Sequence, residues 1–278
     1  MQSPINIGKV ILAGAGPGDP ELITAKAIRY LRLADVVIVD RLVSHEIIEE
    51  YVKADATVIY AGKQSGKGYS TRQTTINQLL VEHAMNGKLV VRLKGGDVSI
   101  FSNILDELQA LTEHDIPYEV IPGVTAALGA AAYSGIPLTA RDHSVAVRFL
   151  TYYDPEILSD AYWSELANTN DTLVFYMSAE SLPKAIENLK RHHVDHSKQI
   201  ALIEQATTSK QRVRVFSFEN FPPERLEFLS PGLVVIGKVV SLHEKFKWRQ
   251  NYEGDEYYFQ PLTKAMSVIR TGNQVNAS

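Results

Sequence analysis

Three glycine-bearing stretches, 14–20 (GAGPGDP), 92–97 (RLKGGD) and 121–126 (IPGVTA), carry the residue types that grip a ligand through the backbone. Glycine lets the main chain come close to a bound molecule and adopt the turns that aim its N–H groups. Each stretch follows a short apolar run, so each falls at the C-terminal end of a strand, where open α/β sheets collect their ligands. The first, with Asp40 ending the next strand, opens like a dinucleotide-binding loop, but the match is imperfect. Position 19 holds Asp where the third glycine belongs, and Pro17 removes an N–H that would serve a pyrophosphate. Taken singly, each stretch is also compatible with an ordinary strand-to-helix turn.

Other chemistry is bounded by composition. The 278 residues contain no cysteine, which excludes thiolate nucleophiles, disulfides, iron–sulfur ligation and cysteine zinc sites. His192, His193 and His196 have a spacing that places two imidazoles on one helical face. At a helix C-terminus, however, His and Arg191 complement the macrodipole without a ligand, so no metal is expected. With 28 Lys+Arg against 32 Asp+Glu, the net charge of −4 argues against a nucleic-acid partner. No signal peptide and no run of about 20 apolar residues is present, so no membrane partner and a cytoplasmic enzyme are expected.

These loops require elements to position them. Residues 9–14 (KVILAG), 34–40 (ADVVIVD), 56–61 (ATVIYA) and 88–93 (KLVVRL) read as buried strands, and 118–121 as a further strand that closes this half. Between them, helical periodicity runs over 22–33, 71–86 and 102–113, so strand and helix alternate as in an α/β domain with a largely parallel sheet. The small-residue run 125–132 (TAALGAAA), flanked by Pro122, Gly123, Gly135 and Pro137, reads as a connecting helix. The second half offers strands at 146–150, 171–176, 199–204, 212–217 and 232–239, with a helix at 182–192. The expected organisation is an N-terminal α/β domain at 1–122, a connector at 123–137, a C-terminal α/β domain at 138–244, and a loosely held tail at 245–278.

The order and wording of further motifs add to this. DRLVS (40–44), GK (62–63), GIPLT (135–139), TLVFYM (172–177) and ALIE followed by Thr207 appear in sequence with the three glycine loops. Over about 10–242 the chain resembles the uroporphyrinogen-III C-methyltransferases of the tetrapyrrole methylase superfamily. The resemblance implies two α/β domains with the active site in the interdomain cleft, where S-adenosyl-L-methionine binds and leaves as S-adenosyl-L-homocysteine. It implies methylation of uroporphyrinogen III at C2 and C7 to give precorrin-2 for sirohaem or cobalamin synthesis. A homodimer is also implied. No dehydrogenase and ferrochelatase module precedes the first strand, so that activity is not expected.

Matched residue by residue, the resemblance assigns cofactor contacts to Pro17, Gly95, Gly96, Asp97, Ile100, Thr125, Ala126, Met177 and Ala206, the last standing where the family usually has glycine. It assigns proton acceptance to Asp40 and proton donation to Lys63. The implied acceptor carries eight carboxylates, so cations beside the motifs are its expected partners: Arg41, Lys94, Arg141 and Arg148. Each is alternatively a salt-bridge partner. The chain departs from the family over 98–103 (VSIFSN), where Asn103 replaces an arginine and the neighbouring glycines are missing, and again at Ala140 and Thr151–Tyr153. A C-methyltransferase acting on a later corrin precursor is therefore the close alternative. A non-catalytic tetrapyrrole carrier, a nicotinamide oxidoreductase and an RNA methylase are more distant ones.

Overall fold

The computed structural model describes residues 7–62, 71–152, 158–177, 181–222, 229–259 and 267–270. The chain divides into two compact units, Met1–Thr125 with Phe259–Ser278, and Ala126–Tyr258.

The first unit is built on β1 (Lys9–Gly14), β2 (Val36–Val39), β3 (Thr57–Tyr60), β4 (Leu89–Lys94) and β5 (Tyr118–Ile121), in the order β3-β2-β4-β1-β5. All of these pairs are parallel. Strands such as VVIV are buried at every position because helices cover both faces of the sheet. α1 (Ala25–Leu31) and α2 (His45–Tyr51) bury Ala27, Leu31, Ile47 and Ile48 with Ile11, Val37 and Val91. α3 (Gln73–Met85) and α4 (Ile104–Glu113) bury Ile76, Leu80, Ala84 and Leu111 with Leu12, Ile38 and Val90 on the opposite face. The helix expected over 22–33 is split in two. A 3-10 turn at Pro20–Leu22 ends first, and α1 restarts because the Thr24 hydroxyl accepts the Ala27 N–H at 3.2 Å.

The second unit begins with α5 (Ala126–Ser134), so most of the expected connector is part of a domain. Its sheet, in the order β6-β7-β10-β8-β9, contains β6 (Val147–Thr151), β7 (Thr172–Tyr176), β8 (Gln199–Glu204), β9 (Arg212–Ser217) and β10 (Gly232–Gly237). Only β6 and β7 run parallel; the other pairs are antiparallel. α6 (Asp160–Asn168) and α7 (Leu182–Arg191) close one face over Tyr152, Trp163 and Phe175.

The loose tail expected at 245–278 needs correction over 245–259, while 260–266 and 271–278 lie outside the described residues. After α8 (His243–Phe246), Trp248 donates its indole N–H to the Ala132 carbonyl at 2.8 Å. Asn251 bonds both the N–H and the C=O of Val213, and the Gln205 side chain takes the Tyr258 N–H at 2.6 Å and donates to the Glu256 carbonyl at 3.2 Å. The segment is polar because its backbone is met by side-chain amides, a form of order that leaves no hydrophobic period. Farther on, β11 (Ser267–Arg270) pairs antiparallel with β3 and covers that edge of the first sheet.

Candidate functional site

In the first unit the three glycine loops converge because their strands are neighbours: β4 and β5 flank β1. Gly16 and Gly96 exchange hydrogen bonds at 3.1 and 2.7 Å, and Ala15 N–H donates to the Lys94 carbonyl at 2.8 Å. Gly14, Gly96 and Gly123 touch backbone to backbone. A Cβ at position 123 would lie 2.3 Å from the Gly96 oxygen, and one at position 14 would lie 2.6 Å from the same atom. Asp97 locks this contact. One carboxylate oxygen accepts the Ser99 N–H at 2.7 Å and the other accepts the Gly123 N–H at 2.8 Å. Gly95 lets the loop after β2 close in, since its Cβ would meet the Leu42 carbonyl oxygen at 2.8 Å. Four loops therefore form one cluster at the C-terminal edge of the sheet, the usual ligand position in this architecture.

Asp40 stands in that cluster. Its N–H extends the sheet by donating to the Leu93 carbonyl at 3.0 Å, and its carbonyl accepts from Val43 as the chain turns. The side chain is 29% exposed on one side and ion-paired with Arg92 on the other. Arg92 is 2% exposed. Its Nε donates to Glu107 at 3.0 Å and its Nη1 to the Ile38 carbonyl at 3.3 Å. Glu107, fully buried, also accepts Lys94 Nζ on both oxygens, at 2.9 and 2.8 Å. Two cations and two anions thus form a chain of charge running from the core to Asp40. Burial works against the Arg92 guanidinium, but Asp40 and Glu107 outweigh it and hold its pKa above the ordinary value. For Lys94 burial wins over the pull of Glu107 and the pKa is lowered.

This geometry corrects one sequence expectation and exposes an omission. Lys94 does not face outward as a partner for substrate carboxylates, because its ammonium is buried and spent on Glu107. Arg92 and Glu107 were not singled out, although a signal exists. Val90, Arg92 and Lys94 alternate onto one strand face, and Glu107 falls among Ile104, Leu108 and Leu111 on the apolar stripe of α4. Charges at core positions from two elements are a sequence mark of a buried network.

The remaining candidates differ in their surroundings. Arg41, next to Asp40, has a buried Nε without a hydrogen-bond partner, and desolvation pushes its pKa down. A guanidinium in that state can accept an anion. Pro17 is buried, Ile100 is half-buried, and Thr125 is buried at the end of the unit. Phe101 and Asn103 take left-handed backbone conformations, φ 50° and 58°, in the segment that departs from the family pattern. Lys63 lies outside the described residues.

In the second unit Tyr176 joins two of the candidates' segments. Its hydroxyl oxygen accepts the Ala127 N–H at 3.0 Å, so the start of α5, with Ala126, lies against the end of β7, with Met177. Met177 is left-handed, φ 51°, and 59% exposed, a strained and unburied position for an apolar side chain. Ala206 is half-buried between Gln205 and Thr207, at φ 48° and 69°. Arg148 pairs with Asp171 at 2.6 Å and Glu165 at 2.5 Å, and those bonds, Glu165 foremost, raise its pKa. It is the salt-bridge partner of the alternative reading, and Arg141 is exposed. Among the described residues no cluster of three or more His, Asp or Glu is arranged to hold a metal, and no helix is long and apolar enough to cross a membrane.

Comparison with known proteins places this geometry. The family model "Tetrapyrrole (Corrin/Porphyrin) Methylases" matches residues 9–222. A siroheme synthase of Pseudomonas aeruginosa is 45% identical over 253 residues, 90% of this chain and 54% of the relative. That of Thioalkalivibrio sulfidiphilus is 46% identical over 245 residues, 87% of this chain and 50% of the relative. The chain therefore spans about half the length of these curated relatives. Among solved structures, uroporphyrin-III-C-methyltransferase from Thermus thermophilus is 33% identical with a TM-score of 0.72, covering 87% of this chain and 98% of that one. The same enzyme complexed with S-adenyl homocysteine covers 84% and 100%, with a TM-score of 0.71 and 33% identity. A cobalt precorrin-4 methyltransferase at 23% identity and TM-score 0.71 shares the fold. With the family model spanning most of its length, the chain belongs to the tetrapyrrole methylases.

Proposed function

We propose that the protein is an S-adenosyl-L-methionine-dependent methyltransferase that methylates uroporphyrinogen III at C2 and C7, giving precorrin-2 for sirohaem or cobalamin synthesis. The observation that carries this reading is the cluster of glycine loops around a half-exposed carboxylate, Asp40, together with the likeness to a methyltransferase complexed with S-adenyl homocysteine. The cluster fits such a nucleoside: backbone meets backbone at three strand ends with little side-chain bulk, which suits a ligand held through main-chain groups. When bound, the sulfonium supplies an activated methyl group. Pro17, Gly95, Gly96, Asp97, Ile100 and Thr125 in the first unit, and Ala126, Met177 and Ala206 in the second, are the proposed contacts to it. Asp97 acts through the loops it pins.

The protein's remaining work is orientation and proton handling. Methylation at a pyrrole carbon leaves positive charge on the macrocycle, which proton loss discharges. Asp40 is the proposed acceptor of that proton and Lys63 the proposed donor of the one returned. Arg41, with an unsatisfied desolvated N–H, is the strongest candidate for a substrate carboxylate, and Arg141 is an exposed second. We place the enzyme in the cytoplasm as a homodimer, without membrane, nucleic-acid or metal partners. Calorimetry with S-adenosyl-L-homocysteine tests the donor: saturable binding, with NAD giving none, is expected. An acceptor screen by mass then separates uroporphyrinogen III from later corrin precursors.

A further inference from the structure

We propose that Arg92 is a positioning residue for Asp40, fixing the aim of its carboxylate from beneath, with Glu107 and Lys94 as the anchor that keeps Arg92 in place. This rests on the reading of Asp40 as the proton acceptor. Three observations carry it. Arg92 has no freedom: its Nε is fixed by Glu107, its Nη1 by the Ile38 carbonyl, and its Nη2 is left to reach Asp40. Glu107 is itself held on both oxygens by Lys94, so the arrangement is a rigid strut between α4 and β4 that ends on one half-exposed acid. Finally, the chain of charge alternates, anion to cation to anion to cation, and balances to zero, which permits burial. A network serving stability alone need not terminate on an acid at a ligand-collecting strand end.

The charged groups facing Asp40 among the described residues are Arg92 and Lys94 from β4, Glu107 from α4, and Arg41 beside it in sequence.

The experiment compares wild type, Arg92→Gln, Arg92→Lys and Glu107→Gln by steady-state kinetics of methyl transfer, with S-adenosyl-L-homocysteine affinity and urea unfolding measured beside them. Arg92→Gln is expected to lower kcat roughly ten- to hundredfold, with nucleoside affinity within about twofold of wild type. Arg92→Lys restores part of kcat, since it keeps charge and loses the fork. Glu107→Gln, which loosens the anchor and leaves Arg92 in place, lowers kcat by less. A folded Arg92→Gln variant with wild-type kcat overturns the proposal. So does a rate loss matched by an equal loss of nucleoside affinity. A wild-type protein that binds S-adenosyl-L-homocysteine but methylates nothing overturns the methyl-transfer reading.

Discussion

Each unit holds a set of ion pairs, and two of these sets contrast in burial. In the first unit one set lies inside, under the strand ends, and leads from Glu107 and Lys94 through Arg92 to Asp40. In the second unit another set lies at the rim and fastens one segment to the next: Arg148 to Asp171 and Glu165, and Lys210 to Glu256 at 2.6 Å. Arg212 likewise grips the carbonyls of Tyr252 and Gly254. Rim pairs are worth little individually and tolerate loss. Buried ones are costly to break, because the surviving partner keeps its desolvation penalty. A fold retains such a cost where a side chain has to be held at a fixed place.

The sharpest break in this comparison is Asp40→Asn. It should cut methyl transfer about 10²–10⁴-fold while leaving S-adenosyl-L-homocysteine affinity close to wild type by calorimetry. A variant with full activity would remove Asp40 from the chemistry. Next, Lys94→Met leaves Glu107 with Arg92 as its single cation and should cost about 3 kcal/mol of unfolding free energy in urea. Lys210→Met at the rim should cost under about 1 kcal/mol. Equal losses would erase the distinction between the two sets.

What the sequence made legible follows from this contrast. The central strands of the first sheet are short apolar runs buried on both faces, and glycine-bearing loops follow β1, β4 and β5, so the strands and the convergence of those loops could be read directly. Residues 9–14 and 118–121 coincide with the strands found. The order of the segment after residue 245 was not legible, because side-chain amides of Gln205 and Asn251 hold it, and such bonds leave no periodic trace. The partners of Lys94 were missed for a related reason. An ammonium beside a ligand motif looks the same in sequence whether it faces solvent or a glutamate on the next helix, and only α4's position decides. Motif adjacency likewise could not separate Arg41 from Arg148.

That separation gives a finer test. Arg41→Gln should raise KM for the tetrapyrrole about tenfold, the value of one charge-assisted bond, whereas Arg148→Gln, whose cation is already neutralised by two acids, should change KM less than about twofold. The reverse ranking would move the substrate's carboxylates to the second unit. The smallest effect concerns Glu119, whose carboxyl is held down to about 2 by Lys26, Lys9 and Tyr30. A depressed carboxylate stabilises above its ordinary value of 4.5 and loses that contribution as pH falls toward 2. Glu119→Gln should therefore lower Tm slightly at pH 7 and converge with wild type in acid. A constant difference across pH would contradict it.

The central claim is tested most directly by incubating the purified protein anaerobically with S-adenosyl-L-methionine and uroporphyrinogen III and weighing the tetrapyrrole. The account predicts a product heavier by two methyl groups, formed with release of S-adenosyl-L-homocysteine. An acceptor of unchanged mass, with the donor unconsumed, would contradict it.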